Sequence, residues 1–146
     1  MRWKIIAVGK PKLPWAAEGI ADYLGRLKHF LSAEIVFLKN GSKEQEASAL
    51  LQASRGCYRL VLDECGSTWT SRELAGHIQE LELRSQKQIA LLVGGGDGLA
   101  NEVRKKADRV WSLSPATLQH ELALLVACEQ LYRAGSILRG HPYHRD

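Results

Sequence analysis

The loop Gly94-Gly95-Gly96-Asp97-Gly98 is the segment best suited to bind a ligand through its backbone. Four glycines in five positions permit positive φ angles and let a ligand approach the main chain closely. The spacing is not that of a dinucleotide fingerprint, which would need glycine at Leu99, nor that of a phosphate-binding loop, because no Gly-Lys-Ser/Thr follows. A tight turn without a ligand explains the glycines equally well. The loop favours a nucleoside-like ligand without identifying it.

Two further loops carry polar groups of possible use to a ligand. Leu113-Ser114-Pro115-Ala116-Thr117-Leu118 offers two hydroxyls and a rigid proline just before an apolar helix. Capping that helix is the simpler role for Thr117. A third loop is expected at Asp63-Glu64-Cys65-Gly66, where Asp63 could act as a base or bind a ribose. Acids in such positions are more often solvated turn residues.

The C-terminal segment, His141-Pro142-Tyr143-His144-Arg145-Asp146, combines aromatic, imidazole and guanidinium groups. Such groups suit stacking on RNA bases and contact with phosphates. A polar tail is, however, ordinarily frayed and solvated. Its composition alone therefore leaves both interpretations open.

Strand-like and helix-like segments alternate along the chain and determine where these loops lie. Apolar runs predict strands at residues 3–8, 35–38, 59–62, 89–93 and 110–113. Apolar periodicity and the Thr70/Glu73 capping box predict helices from Pro14, around 47–51, from Thr70, around 101–107, and at about 119–137. The segment after Leu38 is expected to be the one long flexible loop.

This alternation predicts an α/β fold, a mainly parallel sheet flanked by helices, in a single domain over residues 1–146. In such a sheet, ligands bind beyond the carboxyl ends of the strands. The loops after Leu62, Val93 and Leu113 are therefore expected to meet at one site.

Composition narrows the cellular setting. The net charge of +4 weakly favours a polyanionic partner. Cys57, Cys65 and Cys128 form no C-x-x-C pair, which argues against a disulfide framework and against a zinc site, so no metal is expected. The start does not look like a signal peptide, and the longest apolar run, residues 122–128, is too short to cross a bilayer. A cytoplasmic protein without membrane contact is expected.

Six motifs together resemble one known family. They are IIAVGK (5–10), LDECG (62–66), LLVGGGDGL (91–99), WSLSPATL (111–118), EQLYRA (129–134) and HPYHRD (141–146). Their order and spacing resemble the RlmH family of SPOUT-class methyltransferases, which act on bacterial large-subunit ribosomal RNA. The resemblance covers the whole chain.

The resemblance implies a SPOUT-type fold with a C-terminal trefoil knot, and a homodimer. It implies transfer of a methyl group from S-adenosyl-L-methionine to N3 of a pseudouridine in 23S ribosomal RNA, within the assembled ribosome. Cofactor contacts carried over by position are Leu62, Gly94, Leu113, Ser114, Pro115, Ala116, Thr117 and Leu118. By resemblance, the reacting step is surrounded by Arg133, Tyr143, His144 and Arg145, with the arginines contacting phosphate or a base anion. Tyr143 and His144 are candidates for stacking and proton acceptance.

The chain departs from the family pattern at the start of the last helix. Gln119 stands where the family usually has proline, and Leu124 where it usually has arginine. The change at Leu124 removes one basic contact, to the ligand or across a dimer. A catalytically silent module that binds ribosomal RNA is the alternative function, and binding of S-adenosylmethionine would discriminate the two. An ordinary doubly wound nucleotide enzyme is disfavoured, because the strand after the glycine loop ends without an acidic residue.

Overall fold

A five-stranded parallel sheet forms the centre of the molecule. The computed structural model describes all residues, 1–146, and the strands lie in the order β2-β1-β4-β3-β5. The neighbours β1 and β4 are apolar almost throughout, as expected of central strands covered on both faces. The elements follow one another as β1 (Arg2–Val8), α1 (Pro14–Leu27), β2 (Ser32–Leu38), α2 (Lys43–Ala53), β3 (Tyr58–Thr68), α3 (Ser71–Leu83), β4 (Gln88–Val93), α4 (Asn101–Lys105), β5 (Arg109–Ser112) and α5 (His120–Leu138).

Each face of the sheet has its own core, because successive side chains of a strand point to opposite faces. On one face, Ile5 and Leu91 belong to the larger apolar cluster, which includes residues of α1, α3 and α5. On the other, Ile6 and Leu92 join the smaller cluster with α2 and α4. The α/β class, the parallel sheet and all ten predicted elements are confirmed. None of the helices combines the length and the hydropathy that a membrane span requires.

Two predictions about connections are wrong. The segment after Leu38 is not a long loop, because α2 begins at Lys43. Ser42 ends the connection early by forming a capping box with Gln45. The segment from Asp63 is not a simple loop either, since β3 continues to Thr68. There the pairing with β5 breaks after Leu62 and resumes at Ser67, as in a bulge.

The two residues that depart from the family pattern, Gln119 and Leu124, have structural roles at the start of α5. The Gln119 side chain accepts hydrogen bonds from the backbone N–H groups of Glu121 and Leu122, at 2.9 and 3.0 Å. Gln119 therefore caps the helix, and the prediction that Thr117 would do so is wrong. Leu124 is 3% exposed and packs in the larger core. Its side chain does not line the cavity described below.

Candidate active site

A cavity of about 550 Å³ opens where β4 and β5 end, beside the bulge of β3. This volume lies within the range of about 300–1,000 Å³ for small-molecule sites. Three segments line it: residues 62–64 at the bulge of β3, the glycine loop, and the connection from β5 into α5. Of the eight residues expected to contact a cofactor, all but Pro115 lie at this cavity: Leu62, Gly94, Leu113, Ser114, Ala116, Thr117 and Leu118. The side chain of Pro115 is exposed.

Short-range hydrogen bonds shape the loop between β5 and α5. The Ser112 hydroxyl donates to the Ser114 carbonyl oxygen at 2.9 Å and accepts from the Ser114 N–H at 3.3 Å. The Ser114 hydroxyl accepts from the Ala116 N–H at 3.0 Å. Thr117 then donates to Glu64 at 2.6 Å, which ties this loop to the bulge of β3. The lining is therefore held together before any ligand arrives.

The glycine loop approaches its neighbours too closely for side chains. A Cβ atom on Gly94 would lie 2.9 Å from the Leu99 side chain, so Gly94 is needed for packing within the loop. Gly98 has φ of 77°, a conformation that favours glycine. Gly96 differs, because a Cβ there would meet His120 only at 3.6 Å, an ordinary contact. The loop thus presents mainly backbone to the cavity.

Asp63 is already bonded, which argues against a role as a free base. Its carboxylate accepts from Arg104 at 3.3 Å and from the Cys65 N–H at 2.9 Å. A hydrogen bond between the Cys65 side chain and Asp63, together with the negative charge of Asp63, raises the pKa of the Cys65 thiol. A thiol that stays protonated is a poor nucleophile, so nothing here favours covalent catalysis by Cys65.

The charged groups of the lining are acidic. Asp63, Glu64 and Asp97 line the cavity, and neither lysine nor arginine does. Such a surface attracts a cation and repels a phosphate. Nowhere does the structure gather three His, Cys, Asp or Glu side chains that could hold a metal ion.

The sequence-based expectations gave no role in the site to several residues of the lining. Among them are Glu64, Gln119, His120 and Ala123. All four line the cavity. The α-helical spacing of His120 and Ala123, which places both on one face of the first turn of α5, is a signal that could have found them.

Arg133, Tyr143 and His144 meet one another, but not at the cavity. Gly140, with φ of 68°, ends α5, and the chain turns back so that the His141 N–H donates to the Ser136 carbonyl oxygen at 2.9 Å. Arg133 lies 3.1 Å from His144, and its guanidinium lies 4.8 Å from the centroid of the Tyr143 ring. Three of the four predicted catalytic residues therefore form a cluster in which the tail packs beside the second half of α5.

The separation between this cluster and the cavity follows from helix geometry. Ala123 lines the cavity, and Arg133 lies ten residues further along α5. At 1.5 Å per residue, the two are about 15 Å apart along the helix axis. Arg145 is exposed and makes no hydrogen bond or ion pair. Within one chain, the two parts of the predicted site are therefore not joined.

A family model described as "Predicted SPOUT methyltransferase" matches residues 1–144. The chain belongs to this family. The SPOUT match confirms the methyltransferase class, and with it S-adenosyl-L-methionine as the expected cofactor. Roles of individual residues in binding it stay predictions.

Relatives of this SPOUT chain match it over nearly their whole length. Ribosomal RNA large subunit methyltransferase H of Thermus thermophilus is 42% identical over 145 residues, covering 99% of each chain. The protein of the same name from Dechloromonas aromatica is 40% identical over 156 residues, covering 100% of this chain and 99% of its own. A "probable methyltransferase" of Bordetella pertussis Tohama I has a similar fold, with a TM-score of 0.59 at 17% identity over 90% of this chain and 95% of its own.

Proposed function

We propose that this chain is an S-adenosylmethionine-dependent methyltransferase of 23S ribosomal RNA that modifies N3 of a pseudouridine on the assembled ribosome. The cytoplasm is its proposed compartment, and one domain, 1–146, carries a SPOUT fold with a C-terminal trefoil knot. The full-length similarity to ribosomal RNA large subunit methyltransferase H supports the substrate class. The observation that carries the methyl-donor site is the acidic cavity at the strand ends.

The residues of the cavity fit S-adenosylmethionine. The cofactor's sulfonium is a cation, and Glu64 and Asp97 provide the negative potential that favours it, whereas the charge of Asp63 is offset by Arg104. Apolar side chains such as Leu113 and Leu118 offer a surface for an adenine ring, and exposed backbone of the glycine loop supplies donors and acceptors. When bound, the cofactor supplies an activated methyl group that needs neither a metal nor a covalent enzyme intermediate.

We assign Arg133 to the substrate as the cationic group that faces its base. Pseudouridine N3 carries a proton and must lose it before it can accept a methyl group. A guanidinium near the base would stabilise the resulting negative charge, and alignment of the two reactants would supply much of the rate. Arg145, exposed and unpaired, is suited to an RNA phosphate.

A homodimer would bring the two separated clusters together. In one chain the tail cluster lies about 15 Å along α5 from the cavity, too far for Arg133 to act on a methyl group there. Leu122, Leu125 and Val126 remain partly exposed on α5, and Trp15 is 51% exposed. These apolar groups suit an interface with a second copy. We infer that the tail of one protomer completes the cavity of its partner.

The shared site is tested by mixing two inactive variants. One lacks residues 143–146, and the other carries Ala116→Trp, which fills the cavity from an exposed loop position. If sites are shared, mixed dimers combine an intact cavity with an intact tail and regain activity at one of two sites. If subunits exchange and no activity returns, the shared site is wrong.

The reaction itself is tested in cells. Mass mapping of 23S ribosomal RNA from cells lacking the protein should show one pseudouridine without its methyl group, restored by the wild-type gene. Calorimetry with S-adenosylmethionine separates the alternative function, a silent RNA-binding module, which would bind ribosomal RNA but not the cofactor. An unchanged methylation map would refute the proposed reaction.

A further inference from the structure

Glu129 lies at the centre of the contacts that hold the tail against α5. Its Oε1 atom accepts hydrogen bonds from Nε and Nη2 of Arg133, at 3.0 and 2.7 Å. The same oxygen accepts a bond from the Tyr143 hydroxyl at 3.0 Å. Its other oxygen, Oε2, accepts from Gln130 at 2.9 Å. One carboxylate oxygen therefore fixes both Arg133 and Tyr143.

These bonds determine where the proton of Tyr143 lies. The phenol has one proton, which it donates to Glu129. The Tyr23 hydroxyl, 3.2 Å from the Tyr143 oxygen, must then be the donor in that contact. Burial, followed by the contacts with Tyr23 and Glu129, raises the pKa of Tyr143. The phenol is consequently held as a hydrogen-bond donor and does not act as a base in this arrangement.

His144 is fixed in a similar way. A guanidinium has no acceptor, so Nη1 of Arg133 must donate to Nδ1 of His144, at 3.1 Å. The imidazole proton then lies on Nε2, which donates to Asp146 at 3.0 Å. Arg72 of α3 binds both oxygens of Asp146, at 3.0 and 2.7 Å. The tail is thus held at two points, by Glu129 near its start and by Arg72 at its end.

The two attachments differ in strength. Arg72 and Asp146 have side chains that are 59% and 71% exposed, where ion pairs contribute little. The side chains of Arg133 and Glu129 are only 24% and 18% exposed. The bonds by which they hold the tail, from Tyr143 to Glu129 and from Arg133 to His144, each include a charged group. Glu129 is therefore the main support of the cluster.

We propose that Glu129 is a positioning residue for methyl transfer. It orients Arg133 of α5 and Tyr143 of the tail, and it keeps the Tyr143 phenol a hydrogen-bond donor. This role rests on the proposed function, in which the tail acts at the partner's cavity. Glu129 itself does not contact the substrate. Its loss frees two residues at once, and a misplacement of about 1 Å can lower a rate about 100-fold.

The test compares Glu129→Gln with Glu80→Gln. Glu80 forms an i,i+4 ion pair with Arg84 on the exposed face of α3. It therefore has the same glutamate–arginine pairing as Glu129, but outside the tail cluster. Glu129→Gln removes the charge that strengthens the bonds to Arg133 and Tyr143, and its amide nitrogen would face the Gln130 donor in place of Oε2. We therefore expect kcat for RNA methylation to fall by about 100-fold. Dimer mass and the Kd for S-adenosylmethionine should stay unchanged, whereas amide exchange at His141, Tyr143 and His144 should accelerate. Glu80→Gln should change none of these.

A double variant tests whether Glu129 acts through Tyr143. If it does, Glu129→Gln combined with Tyr143→Phe should lower kcat by less than the product of the two single effects. An unchanged kcat in Glu129→Gln, independent effects in the double variant, or a loss of kcat that follows a loss of cofactor affinity overturns the proposal. Wild-type protein that binds the cofactor but methylates no ribosomal RNA refutes the proposed function, and this role with it.

Discussion

Glu121 connects the start of α5 to the segment before α1, and its removal gives the sharpest prediction for stability. Glu121 is only 7% exposed. One oxygen, Oε1, accepts hydrogen bonds from the backbone N–H groups of Lys12 and Leu13, at 2.8 and 2.9 Å. Each hydrogen bond to a charged group contributes about 1.5–3 kcal/mol. Because Lys12 is exposed and its N–H can bind water, we take the lower end of that range for both bonds.

Glu121→Ala should therefore lower the free energy of unfolding by about 3 kcal/mol. In Glu121→Gln the amide oxygen can still accept both bonds, so the loss should be about 1 kcal/mol. Glu18, exposed on α1 and without an ion pair, is the matched control, and Glu18→Ala should stay within about 0.5 kcal/mol of wild type.

Urea unfolding followed by circular dichroism measures these differences, at one protein concentration because self-association would make stability depend on concentration. The first turn of α5 also lines the cavity, so Glu121→Ala should weaken cofactor binding more than Glu121→Gln does. If Glu121→Ala costs less than about 1 kcal/mol, the two bonds do not support α5 as argued. Equal losses in the Ala and Gln variants would show that the charge matters and the acceptor geometry does not.

Two further predictions concern the cavity and His77, a half-buried histidine of α3. Ala116→Trp should lower the affinity for S-adenosylmethionine at least about 10-fold by filling the cavity. Ala21→Trp, at an exposed position of α1, should leave the affinity unchanged. Calorimetry measures both affinities, and equal values would move the site elsewhere. Burial, and then the charge of Arg109, lower the pKa of His77 below its ordinary value of 6.5. Its neutral form therefore stabilises the fold above that value, and the contribution is lost as the pH falls below it. Unfolding free energy should decline less between about pH 7 and pH 5 in His77→Gln than in wild type, and parallel curves would contradict this.

The elements of this protein could be predicted from the sequence because their signals are local. Short apolar runs predicted the five strands, and apolar residues at helical spacing together with the Thr70 capping box predicted the helices. The Thr70 capping box marked the start of α3 correctly, since a cap needs only residues three apart. The meeting of the three predicted segments at one cavity followed from the parallel sheet, whose strand ends lie at one edge, although the segment after Leu62 is a bulge of β3 and not a loop.

The long loop expected after Leu38 was a local error, because the Ser42–Gln45 capping box starts α2 early. Other errors arose where distant residues determine the local structure. Thr117 looked like a helix cap, but Glu64, distant in sequence, binds its hydroxyl, and Gln119 caps α5 instead. The continuation of β3 past Asp63 depends on pairing with β5, whose partner Trp111 lies far along the chain. Such pairings have no signal within a short window of sequence.

The sequence by itself determined the class of fold, the loops that form the cavity and the kinds of groups in the tail. Only the tertiary structure decided that Arg133, Tyr143 and His144 form one bonded cluster, and that this cluster lies about 15 Å from the cavity along α5. The physical reason is that the chain reverses at Gly140, which brings the tail back to α5, where the Glu129 carboxylate binds Tyr143. Residue types can be read from a sequence, whereas the distances between them are set by packing.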